Sequence, residues 1–191
     1  MAIEIDPERP EGMSDEAFGR RKRALLEVRQ WGDPILRSQT NQVTDFGQDL
    51  QDQIARMTQI MEDAPGAGLA APQVGSLARL FIYRVEREGP ATAVINPQIT
   101  WSSDEQDIEL EGCLSLGAVV VAVPRPISIK VEAVNLMGEA VEIVAEGFEA
   151  RVIQHEYDHL EGVMIVDHAE REERREALEF LRERASQLVG P

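Results

Sequence analysis

The sequence predicts an α+β domain in which antiparallel β-sheets pack around one central helix, with a further helix at the C-terminus. Three observations predict it. Apolar residues keep a helical period in three segments. Five strand-like runs lie together between the first and second of these. The resulting order, one helix, then strands, then two helices, is not the alternation of βαβ units. The 191 residues suffice for one domain with a sizeable core.

The elements follow in order. Residues 1–22 read as a polar extension broken by Pro7, Pro10 and Gly12, without an apolar stretch of signal-peptide length, and are expected to be mobile. The basic run Arg20 to Arg23 sits beside Asp15 and Glu16 and reads as a solvated tail or helix start rather than a binding patch. Trp31-Gly32-Asp33-Pro34-Ile35-Leu36 reads as a turn leading into an extended segment. From Asp49 to Glu62, Leu50, Ile54, Met57 and Met61 fall at i, i+4, i+7 and i+11, one face of a helix. Pro65, Gly66 and Gly68 end it. Strand-like runs follow at Leu80 to Val85, Ala91 to Asn96, Val119 to Val123, Ile127 to Val134 and Ala140 to Ala145, with Met137-Gly138 turning a hairpin between the last two. From Gly147 to His159 the period returns to 3.6, and Phe148, Val152, His155 and His159 share one face. A last amphipathic helix spans Ala169 to Leu188, with Leu178, Leu181, Ala185 and Leu188 on its apolar side.

Composition excludes several classes of function. Acidic residues outnumber basic ones 35 to 19, a net charge of −16, which disfavours DNA or an anionic membrane as partner. The longest apolar runs, such as Ala118 to Val123, are too short to cross a bilayer. The one cysteine, Cys113, excludes an intramolecular disulfide and fits a reducing, cytoplasmic setting. That thiol is a core residue, a reactive group or a metal ligand.

The strongest chemical signal is His155-Glu156-Tyr157-Asp158-His159. On a helix, i and i+4 stack on one face, so two imidazoles can share a metal ion while the glutamate reaches water bound to it. The competing reading is a pair of helix histidines with structural or surface roles. A catalytic metal usually takes three protein ligands. Downstream candidates are His168, Glu170, Glu172 and Glu173. Upstream stands Cys113, within Glu111-Gly112-Cys113-Leu114-Ser115, which could equally be a small buried hydrophobe. A third cluster, Gly66 to Gly75, has small residues that let backbone approach a ligand, and Gln73 offers an amide donor. Read alone, it is also a tight loop after a helix.

Together the three segments resemble the peptide deformylase family, which carries G-x-G-L-A-A-x-Q, E-G-C-L-S and H-E-x-x-H in that order. Here they stand as Gly66 to Gln73, Glu111 to Ser115 and His155 to His159. The similarity runs from about Val28 to Asp167 and includes Gly32 to Leu36 and Val123 to Pro126. The resemblance implies that Cys113, His155 and His159 hold one Fe2+ per chain, with Zn2+, Ni2+ or Co2+ able to replace it. It implies removal of the N-formyl group from formyl-methionine on nascent peptides, releasing formate. Glu156 would be general base and then acid on metal-activated water. The Gln73 amide and the Leu114 N–H would stabilise the oxyanion.

The peptide would add to a strand edge at Ala67, Gly68 and the segment near Leu116. Phe148, Val152 and the stem of Arg151 would line the methionine pocket. Glu111, paired with Arg125, would support the ligands from behind. On this reading residues 23–168 form the catalytic domain, 1–22 an extension and 169–191 a C-terminal helix.

Two departures stand out. Leu116 to Val121 lacks the Pro-Gly and the arginine that many family members carry there, and Val120 occupies about the arginine's place. The last helix is near charge balance, with five arginines and six glutamates from Glu170 to Leu188. It reads first as a solvated face, and transient ribosome association rests on the resemblance alone. Two other readings compete: an H-E-x-x-H metalloprotease with its third ligand downstream, and a non-enzymatic paralogue that binds peptides or a partner.

Overall fold

The computed structural model describes residues 9, 12–86 and 89–188, of which 187 and 188 as backbone only. Helix α1 (Asp15–Leu26) begins where the Ser14 hydroxyl accepts from the Ala17 N–H and where Asp15 and Glu16 complement the helix dipole. Helix α2 (Gln48–Asp63) buries Leu50, Ile54, Met57 and Met61, the stripe that its spacing predicts. Strands β1 (Gly68–Ala70), β2 (Leu80–Tyr83), β3 (Thr92–Ser102), β6 (Ser128–Val134) and β7 (Ala140–Glu146) form an antiparallel sheet in the order β1-β2-β3-β6-β7. Strands β4 (Gln106–Gly112) and β5 (Val120–Pro126) pair as a separate antiparallel ribbon. Helices α3 (Phe148–Leu160), α4 (Ile165–His168) and α5 (Arg171–Leu188) complete the chain.

Strand alternation sorts the core. Leu80 and Ile82 of β2 join the α1 and α2 side chains on one face of the sheet. Phe81 and Tyr83 point to the other, where Ala150, Ile153 and Leu160 of α3 pack. A third core joins Leu36, Val121 and Val123 to Met164, Ile165, Val166, Ala177 and Leu181. Helix α3 thus lies between sheet and ribbon. Its Arg151 donates to the Val123 carbonyl (3.0 Å) and its Gln154 to the Pro126 carbonyl (3.0 Å). The α+β class with antiparallel sheets around a central helix is the observed one.

Several local expectations need correction. Helix α1 crosses the expected boundary at residue 22 and buries Ala24 and Leu25. The expected mobility of the first eight residues, and of 10 and 11, falls outside the described residues. Within the basic run, Arg20 pairs with Glu16 (2.8 Å) and Asp63 (3.3 Å), and Arg21 donates to the Ala64 carbonyl, so the run ties α1 to the end of α2. Pro34–Arg37 is a 3-10 turn, not an extended segment. Proline at its first position presets φ, and the Asp33 carboxylate accepts from the Ile35 N–H (3.0 Å). Strand β3 continues past Asn96 to Ser102, and β1 and β4 are additional strands. The last helix, α5, begins at Arg171 because Ala169 is extended, and the short α4 before it is an additional helix. Leu181 is buried as expected, while the Leu188 side chain lies outside the described residues.

Asp167 joins three elements. Its carboxylate accepts from the Met164 N–H (3.0 Å), from Arg174 (3.0 Å) and from Arg37. Burial would raise its pKa, but the Arg37 and Met164 hydrogen bonds hold it below the ordinary value. Asp167→Ala should therefore cost about 1–2 kcal/mol at pH 7. A depressed pKa contributes stability above the unfolded-state value and loses it as pH falls through the folded-state value. Urea unfolding should show the gap between wild type and variant closing under acid conditions. An undiminished gap there would refute the electrostatic origin.

Candidate metal centre

The centre is assembled from α3, the end of β4 and the turn after β1. On α3 the i, i+4 spacing brings the His155 and His159 rings to 5.2 Å between centroids. Cys113 follows β4 directly in extended conformation, so its thiol continues the strand's alternation to the same side as Glu109 and Glu111. Sγ of Cys113 lies 3.3 Å from Nε2 of His159, and ligand atoms of Cys113, His155 and His159 all lie within 4.8 Å of one another.

An ion held tetrahedrally by sulfur at ~2.3 Å and nitrogen at ~2.0 Å spaces those donors roughly 3.5 Å apart, so the group fits a metal. Among the described residues no other His, Cys, Asp and Glu group comes together in this way. The downstream candidates are occupied elsewhere. His168 meets Asp158 (2.8 Å), Glu172 pairs with Arg175 (2.6 Å), and Glu173 accepts from the Ala122 N–H (2.9 Å). A third ligand from α5 is thereby overturned, and Glu170, exposed before that helix, is not in the group either.

Behind the ligands lies a buried polar network. The Nδ1 of His155 meets Glu111 Oε2 at 2.9 Å, which leaves its Nε2 for the centre. Arg125 grips Glu111 through two bonds, 2.6 and 2.9 Å, and Arg151 adds a third at 2.8 Å. Arg125 also donates to Asp158 (2.9 Å). Burial would raise the Glu111 carboxyl, but the bonds from His155 and Arg125 hold it well below the carboxylate range. Burial likewise would raise the Cys113 thiol and lower His155. The charge of His159 and the hydrogen bonds of both histidines reverse the first, holding the thiol far below its ordinary value, while the hydrogen bonds with Cys113 and Glu111 and the charge of Glu156 reverse the second, holding the His155 imidazole above its own. These are the tendencies of a thiolate among imidazoles.

Gln73 and Glu156 face this group. Gln73 is 2% exposed; its Oε1 accepts from the Ala70 N–H (2.8 Å), and its Nε2 donates to Ser115 Oγ (3.2 Å) and Cys113 Sγ (3.5 Å). Glu156 is buried, with Oε2 lacking any hydrogen-bond partner. Burial, opposed by His155 and His159, pushes its carboxyl up to about 7. A Cβ at Gly68 would stand 2.7 Å from both Cγ and Cδ of Glu156, so the absent side chain gives the carboxylate its place. Gly68→Ala should displace that carboxylate and lower turnover about 10²-fold. A crystal structure of the variant with Glu156 unmoved would count against this.

The centre opens into a cleft of about 380 Å³. Ala67, Gly68, Leu114, Phe148, Arg151 and Val152 line it. Strand β1 is the edge of its sheet and flanks the cleft, and its second side has no strand partner among the described residues. Leu116 is corrected: at 1% exposure it turns into the third core with Leu36 and Met164, and Gly117, Gly112 and Leu110 take the cleft wall instead. Arg151 contributes wall, but its guanidinium is turned to Glu111 and the Val123 and Asp107 carbonyls. Val120 is half exposed opposite Gly112 on the ribbon. Sequence reasoning missed Asp158 and Glu109 as parts of the surroundings and offered His168 only as a ligand, whereas it pairs with Asp158. The alternation of Glu109, Glu111 and Cys113 was the available signal.

A cysteine and two histidines converging beside a buried glutamate, on a helix enclosed by antiparallel sheets, define a metal-binding site of the hydrolase type. Residues 25–175 match the polypeptide deformylase family. A peptide deformylase of Thermotoga neapolitana is 47% identical over 143 residues, 75% of this chain and 86% of that protein. The peptide deformylase crystal structure from Thermotoga maritima superposes with a TM-score of 0.72 at 44% identity, covering 75% of this chain and 96% of that one. The one from Synechococcus elongatus, in complex with actinonin, gives 0.78 at 38% identity, covering 86% and 91%. The chain belongs to the polypeptide deformylase family, and it is accordingly an enzyme, a hydrolase. No helix among the described residues is long and apolar enough to cross a membrane.

Proposed function

We propose that this enzyme removes the formyl group from formyl-methionine at the start of newly made polypeptides and releases formate. The observation that carries the reading is the convergence of Cys113, His155 and His159 beside the unpartnered Glu156 carboxylate. These three side chains would hold one divalent ion. We assign Fe2+, with Zn2+, Ni2+ and Co2+ as substitutes, since thiolate and imidazole suit all of them. Such an ion supplies Lewis-acid chemistry and makes water nucleophilic near neutral pH.

The chain's own residues do the rest. Glu156, with its carboxyl near 7, takes the proton of the attacking water and returns it to the departing amine. The Gln73 amide, held by Ala70, and the Leu114 N–H face the growing charge on the formyl oxygen. The peptide runs along the free side of β1 at Ala67 and Gly68, and the methionine side chain lies against Phe148 and Val152. Glu111 orients His155 and is itself fixed by Arg125 and Arg151.

In this reading residues 23–168 are the catalytic domain, α1 joins the preceding extension to it across residue 22, and the 169–191 segment follows. The enzyme works in the cytoplasm, and association with ribosomes is transient. Formate release from a formyl-Met tripeptide, with the metal content of the protein quantified, tests the function. Turnover by the metallated protein is the expected result. No release from fully metallated protein would overturn the reading.

A further inference from the structure

We infer that Arg184, on the C-terminal helix, is a specificity-determining residue that engages a carboxylate carried by the substrate beyond its methionine. The inference rests on the deformylase reading above. Ala177, Leu181 and Arg184 fall at i, i+4 and i+7 of α5, one stripe of the helix. The first two are buried in the core that also holds Leu116, Val119 and Val121. The third continues the stripe as a half-buried cation, and it ends on Gly117.

Gly117 has φ 64 and ψ −120, a conformation for glycine, and a Cβ there would sit 3.0 Å from the Arg184 Cζ. The missing side chain is what lets the guanidinium reach the backbone of the cleft wall. Gly117 lines the cleft with Cys113 and Leu114. The guanidinium has no hydrogen-bond or ion-pair partner among the described residues. The neighbouring cation of the cleft differs: Arg151 is paired with Glu109 (3.2 Å) and Glu111 (2.8 Å).

A half-buried, unpaired guanidinium at the edge of a peptide cleft is a fork for a carboxylate. At contact range, and against the long-range pull of a chain of net charge −16, it would select acidic over basic residues downstream of the methionine.

The test uses metallated full-length enzyme and formyl-Met tetrapeptides with amidated C-termini that carry Asp, Asn or Lys at the third or the fourth position. A neutral tetrapeptide with a free C-terminus separates a terminal carboxylate from a side-chain one. Wild type should favour Asp over Asn about threefold in kcat/KM, through KM, with Lys lowest. Arg184→Ala should abolish the preference, Arg184→Glu should invert it, and Arg184→Lys should restore part of it. Arg182→Glu, exposed on the same helix, should keep the wild-type order. An Asp:Lys ratio equal in wild type, Arg184→Ala and Arg184→Glu would overturn the proposal. Because both peptides are assayed on one enzyme, a loss of stability in a variant does not move the ratio. Absence of formate from every peptide would instead defeat the deformylase reading.

Discussion

Glu156→Ala is expected to lower formate release from a formyl-methionine tripeptide on the order of 10³-fold at pH 7, with the metal retained. The three candidate ligands are untouched by this change, so metal content separates lost proton transfer from a lost centre. The same residue predicts an opposite effect on stability. Burial raises the Glu156 carboxyl from 4.5 to about 7, and Oε2 has no partner to offset it. A carboxyl with a raised folded-state pKa costs stability as pH climbs through the unfolded value toward the folded one. Glu156→Gln should therefore stabilise the metal-stripped protein above pH 7, by on the order of 3 kcal/mol. Urea unfolding of the metal-stripped pair across pH measures it. A variant that is active, or no more stable than wild type at high pH, would remove Glu156 from its assigned role.

Glu111→Ala is the second large effect. The carboxylate is 6% exposed and is shared by Arg125, Arg151 and His155. Its removal takes the shared buried carboxylate from two guanidinium groups, leaving Arg125 only Asp158 and Arg151 only the exposed Glu109 as counter-ion, and breaking such a buried pair typically costs 3–5 kcal/mol. It also frees the ring of His155, and loss of such a partner lowers metal affinity roughly 10–100-fold. Chemical denaturation and competition with a chelator measure the two. Glu109→Ala, two residues earlier on the strand and more than half exposed, removes only an ion pair at the cleft rim and should cost under about 1 kcal/mol. Equal effects at both positions would mean that the network has no special part.

The site was legible in the sequence to different depths. His155 and His159 are four residues apart on a helix, so local geometry brings them together. Cys113 is 46 residues from His159, and nothing local joins them. The family resemblance supplied that link, and the ribbon register with the packing of α3 realises it. Strand β4 escaped the apolar pattern because its polarity is reversed. Ile108 and Leu110 face outward, 67% and 72% exposed, while Glu109 and Glu111 face the site. Leu116 was misplaced for the related reason that a chain position beside a cleft does not say which way the side chain turns.

What the sequence by itself determined is the set of local periodicities: the α2 stripe, the α3 helix with its paired histidines, the hairpin at Met137-Gly138 and the α+β order. Each depends on neighbours within a turn or two, where backbone geometry decides the contact. Only the tertiary structure decided which distant groups meet. Arg125 reaches Glu111 and Asp158, His168 meets Asp158, and Arg184 comes to rest on Gly117. Those contacts depend on strand register and helix docking, which bury whole faces at once, and one residue of slip would turn Glu111 and Cys113 away from the centre.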